Sequence, residues 1–162
     1  MYGSEAMAGV INVITKKNEK EGLFPGIIYK YGSHNFHDLS TKIYFSKKNT
    51  KIAGNANYIS SNGYDLVDFD DTQTVQPFNR ISKAFYIEND LKKLGRTQVK
   101  IRNYIENKDE TVFINEPGFN PKSRTNEYNI YLKYMNKLQK KTSLFFEYYN
   151  TLFNNRESLL VN

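Results

Sequence analysis

The chain has 162 residues, a formal net charge of +6, a mean hydropathy of −0.67 and no cysteine. That length allows one domain, and the missing cysteines exclude a disulfide scaffold and thiolate metal sites. No apolar run approaches the ~20 residues of a spanning helix, and the aromatic content of 15%, all Tyr and Phe, suits a β-structure whose two faces differ.

The chain opens MYGSEAMAGVINVITKK, small residues followed by a β-branched run. Gly3, Ala6, Ala8 and Gly9 permit close backbone approach, Ser4 is placed to cap one helical turn, and residues 10–15 have a buried strand's composition. Neither a basic n-region nor an apolar h-region follows Met1, so the expectation is a cytoplasmic protein or an incomplete chain. Residues 16–22, KKNEKEG, read as a charged linker.

From residue 26 the apolar period is two. In GIIYKYG, Ile27, Tyr29 and Tyr31 share a face. In LSTKIYFSK, Leu39, Thr41, Ile43 and Phe45 oppose Ser40, Lys42, Tyr44 and Ser46. KIAGNANYIS sets Ile52, Gly54, Ala56 and Tyr58 against Ala53, Asn55 and Asn57. AFYIENDL groups Phe85, Ile87 and Leu91 with Asn89, and QVKIRNYIE groups Val99, Ile101 and Ile105. EYNIYLKYM separates Tyr128, Ile130, Leu132 and Tyr134 from Glu127, Asn129, Tyr131 and Lys133. SLFFEYYNTLF carries aromatics on both faces.

These seven runs predict an all-β, antiparallel meander of about seven long strands, most about 9–12 residues, nearer to membrane-spanning strands than to the usual ~5–6. Short basic links near Lys48, Lys92 and Lys140 alternate with long segments, 60–80 and 107–125, rich in Pro, Gly, Asn and Asp. Short turns on one side and long loops on the other are a barrel signature; the tight turn Gly32-Ser33-His34-Asn35 departs from it. The alternation by itself suits a soluble sandwich equally well.

The opening stretch resembles the end of the plug domain of TonB-dependent outer-membrane receptors, through Tyr2, Gly3, Ser4, Glu5, Ala6, Gly9, Val10, Ile11, Asn12, Val13, Ile14, Thr15 and Lys16. Ala8, often Gly in the family, and Met1 depart from the pattern. Tyr31-Gly32-Ser33 after the first strand and Ser61-Asn62-Gly63-Tyr64-Asp65 after the third are also similar to the family. The resemblance implies the last plug strand over residues 1–17, a linker over 18–25 and the first part of a transmembrane β-barrel over 26–162. Family barrels have about 22 strands, so it implies a fragment. It also implies a Gram-negative outer-membrane location, contact with outer-membrane lipid, coupling to TonB through an absent N-terminal part, and uptake of a ferric siderophore, haem or cobalamin.

In the long loops, Tyr64, Phe69, Phe78, Phe113 and Phe119 are candidates to hold a ligand or to pack the loops. Asp65, Asp68, Asp70 and Asp71 form an oxygen-rich stretch that is a candidate for calcium, though it lacks the mid-loop Gly and the position-twelve Glu of an EF-hand. His34 and His37 are candidate haem ligands or polar surface. The lysines are dispersed, which argues against nucleic acid. No P-loop, G-x-S-x-G or H-E-x-x-H occurs, so the expectation is a protein that is not an enzyme. The rivals to the receptor are a soluble antiparallel β-domain that binds a partner or a sugar, and a passive pore.

Overall fold

A computed structural model describes residues 21–67, 73–109, 119–139 and 142–161. They form seven strands, β1 (Gly22–Gly32), β2 (Phe36–Lys47), β3 (Thr50–Ser61), β4 (Phe78–Asp90), β5 (Arg96–Asp109), β6 (Phe119–Gln139) and β7 (Thr142–Val161). Each pairs antiparallel with its neighbour in sequence, giving one sheet of order β1-β2-β3-β4-β5-β6-β7. Every run expected from the period of two coincides with one of these strands, save that Leu91, the last residue of AFYIENDL, lies just past the end of β4.

The strands exceed the expected runs because alternation continues beyond the most apolar residues. β1 begins at Gly22, inside the expected linker, and includes Pro25. An edge strand tolerates proline because its outward N–H has no ladder bond to lose. β4 starts at Phe78, and β6 and β7 span 21 and 20 residues. Their polar positions pair as regularly as the apolar ones, Asn126 with Asn154 and Arg124 with Arg156.

The connections follow local backbone chemistry. Gly32 faces Phe36 across a three-residue turn in which His34 and Asn35 adopt positive φ of 57° and 54°. Lys47 faces Thr50 across Lys48-Asn49, with Lys48 at φ 47°. β4 passes into β5 through a 3-10 turn, Lys92–Leu94, ended by Gly95 at φ 94°. A Cβ on Gly95 would collide with the Met135 carbonyl oxygen of β6, so position and conformation both demand glycine.

The strict register gathers the apolar residues on one face. One row across the sheet runs Leu23, Phe45, Ile52, Ile87, Val99, Leu132 and Tyr148. The next runs Pro25, Ile43, Gly54, Phe85, Ile101, Ile130 and Asn150. Nothing among the described residues covers this face: no hydrophobic side chain is buried, and Ile27 and Leu152 are 72% and 64% exposed.

This architecture corrects the expected barrel. β1 and β7 are the two edges and do not pair, so the sheet is an open meander. The expected plug strand, with Tyr2, Gly3, Ser4, Gly9 and Asn12, lies outside the described residues. No described helix is long and apolar enough to cross a membrane.

Replacing Gly95 with Ala should destabilise the sheet by about 2 kcal/mol, the order of a forced backbone conformation. Urea unfolding should show it as a lower midpoint at unchanged slope, and an unshifted midpoint would refute the packing account of this turn.

Candidate functional site

The other face is polar, and its densest part lies between β1 and β5. The row beside the apolar ones contains Phe24, Tyr44, Ala53, Tyr86, Lys100, Tyr131 and Tyr149. Two further polar-face rows flank it. One holds Lys42, Asn55, Ala84 and Arg102, the other Ser46, Lys51, Glu88 and Gln98. Ala53 and Ala84 are short where their neighbours are long, and a cleft of about 810 Å3 opens there.

Phe24 and Tyr44, with ring centroids 6.2 Å apart, line one end of the cleft, and Tyr86 stands toward the other. Gly26, across the ladder from Lys42, leaves room for that side chain, since a Cβ there would come within 2.7 Å of Lys42 Cε. Lys100 Nζ lies 4.9 Å from the Tyr131 ring centroid and 5.8 Å from that of Tyr86.

Glu88 anchors the site at 5% exposure. Its Oε2 accepts a hydrogen bond from Tyr86 Oη at 2.5 Å and another from Gln98 Nε2 at 2.7 Å. Burial, reinforced by the Glu88 carboxylate, raises the Tyr86 phenol well above its ordinary value. Tyr86 therefore remains a neutral donor, which fixes the direction of its bond to Glu88. Tyr131 is pushed up to about 12, by burial first and then by Glu147.

A second polar cluster lies farther along the same face. Arg80 Nη2 donates to Glu106 Oε1 at 2.6 Å, and its Nε donates to the same oxygen at 3.1 Å. The Arg80 guanidinium also lies over the Phe78 ring at 5.3 Å. Burial works to raise the Glu106 carboxyl, but hydrogen bonds from Arg80 and Tyr104 and the charges of Arg80 and Lys108 outweigh it and hold the carboxyl below the usual range.

The residues singled out in the sequence are not gathered at the cleft. Tyr64 bridges to Val75, and its ring lies 5.0 Å from that of His34. Asp65 accepts from the Val67 N–H at 3.2 Å and the Thr74 hydroxyl at 2.9 Å, tying the loop together. His37 pairs with Tyr29 Oη at 2.7 Å and with Asn35 Oδ1 at 2.9 Å, so both ring nitrogens are engaged. Phe78 starts β4, and Phe119 starts β6. Phe69, Phe113, Asp68, Asp70 and Asp71 lie outside the described residues. Among the described residues no group of three or more His, Cys, Asp or Glu is placed to hold a metal ion.

The cleft residues Lys42, Tyr44, Lys51, Glu88, Gln98, Lys100 and Arg102 stood out in no motif. The signal that could have found them is the recurrence of Lys, Tyr and Ala on the polar side of consecutive strands, which becomes a site only once the register is known.

No family model matches the chain, and no solved structure matches it. With the sheet open and no family match, the expected TonB-dependent receptor is not upheld. The outer-membrane location, the contact with outer-membrane lipid, the TonB partner and the uptake of an iron chelate, haem or cobalamin fall with it, since each rested on the resemblance or on a closed barrel.

Because its folded pKa is depressed, Glu106 contributes stability fully present above the ordinary glutamate value of 4.5 and lost as pH falls through the lower folded value. Arg80→Met should raise the Glu106 pKa in a carboxyl NMR titration and remove that part of the acid dependence. An unchanged titration would show that Arg80 does not hold the carboxyl down.

Proposed function

We propose that the chain is a binding module whose open antiparallel sheet presents the polar-face cleft to a sugar-type ligand, with binding and no turnover. The observation that carries this reading is the composition of the cleft. Aromatic rings stand beside amides and a buried, hydrogen-bonded carboxylate, over a floor cut down to alanine.

A saccharide offers an apolar C–H face and a fringe of hydroxyls. Phe24, Tyr44 and Tyr86 supply rings for the first, and Asn55 and Gln98 supply donors and acceptors for the second. The volume of about 810 Å3 falls within the usual range for small-ligand sites, roughly 300–1,000 Å3. The ladder on either side holds these groups in place, so little order has to be created on binding.

Titration of the isotope-labelled chain with trisaccharides tests the reading. Amide shift changes should concentrate at Tyr44, Ala53, Asn55 and Ala84, and Tyr44→Ala should weaken binding about tenfold, or ~1.4 kcal/mol. Scattered or absent shift changes would sink it.

A further inference from the structure

We propose that the polar-face cleft selects an acidic sugar, one carrying a carboxylate, through Lys42, Lys51, Lys100 and Arg102; this rests on the sugar-binding reading above. These four side chains come from three strands, Lys42 from β2, Lys51 from β3, and Lys100 and Arg102 from β5, around the alanine floor of β3 and β4. Lys42 and Arg102 lie in one row, separated by Asn55 and Ala84. Lys100 lies in the row of Tyr44, Ala53 and Tyr86, next to that of Arg102, and Lys51 lies opposite Glu88.

The charges do not cancel within the lining. Four cations surround one carboxylate, and that carboxylate already accepts from Tyr86 and Gln98. Among the described residues the ion pairs are Lys30 with Asp38, Arg80 with Glu106 and Arg96 with Asp90, so none of the four cleft cations is in one. Elsewhere on this face Lys30, Arg80 and Arg96 are each in such a pair, so among the described residues the cleft gathers four cations outside the ion pairs. A concave wall of one sign focuses its field inward and favours a ligand of the opposite sign. Arg102 adds a planar fork suited to two carboxylate oxygens, and the lysines add point charges. A neutral sugar offers these cations no counter-charge; a carboxylated one does, while its ring meets Tyr44 and Tyr86.

Calorimetry of the full chain with trigalacturonate and with its methyl ester, the same sugar without the charge, tests the inference. The acid should bind at least tenfold tighter at low salt, with the gap narrowing as salt rises. Lys100→Gln combined with Arg102→Gln should abolish the gap and leave ester binding in place, whereas Lys137→Gln, outside the cleft, should change neither. Equal binding of acid and ester would overturn this inference and leave the sugar reading standing. Binding of neither would overturn both. A preference for the acid that survives the double substitution would place the anion elsewhere and also overturn it.

Discussion

The register of six antiparallel pairings is the constraint on which the rest depends. Side chains alternate faces along a strand, so a one-residue slip at any hairpin would send every residue beyond it to the opposite face. The tight turns at Ser33-His34-Asn35 and Lys48-Asn49 prevent that slip in the first two hairpins, and the glycine-ended 3-10 turn before Arg96 does so between β4 and β5. Held in register, the strands build one apolar face and one polar face from residues more than a hundred positions apart, such as Leu23 and Tyr148.

A single layer cannot bury its own apolar face. Stable domains pack at least two layers around a core, yet the described residues contain no buried hydrophobic side chain. What is buried is polar: Ser46, Ser61 and Glu88. Local order on the polar face therefore comes from hydrogen bonds and ion pairs, with Glu88 tying β4 to β5 and Asn57 tying β3 to β2 through Asp38 and Ser40. Among the described residues the apolar face is uncovered, and the outer ladder edges of β1 and β7 carry no further strand.

The strands were legible in the sequence because alternation is a local property. Ile43, Phe85 and Ile101 each declared their face within a few residues, and the register then brought all three into one row. The cleft was not legible, because Lys42, Ala53, Tyr86 and Arg102 become neighbours only through pairings that no local pattern encodes. Ala53 and Ala84 look like weak strand formers in the sequence and become the floor of a cavity in the sheet. The long loops drew the eye for the opposite reason, since Asp65 and Tyr64 belong to a conspicuous stretch whose described contacts hold the loop to itself. The closed barrel followed from strand length, loop alternation and the family resemblance, and the first two features occur here in a sheet whose outer strands, among the described residues, have free edges.

That openness can be measured across the sheet. Ile28 and Phe153 lie in the same row, at the first and last strands, and both are exposed. With no native cysteine to interfere, Ile28→Cys and Phe153→Cys accept a pair of spin labels. Six inter-strand spacings place their backbones about 20–30 Å apart in an open, twisted sheet, and a dipolar distance in that range is the expected result. Labels held on strands about 5 Å apart would mean that β1 pairs with β7, and would contradict the open sheet on which this account stands.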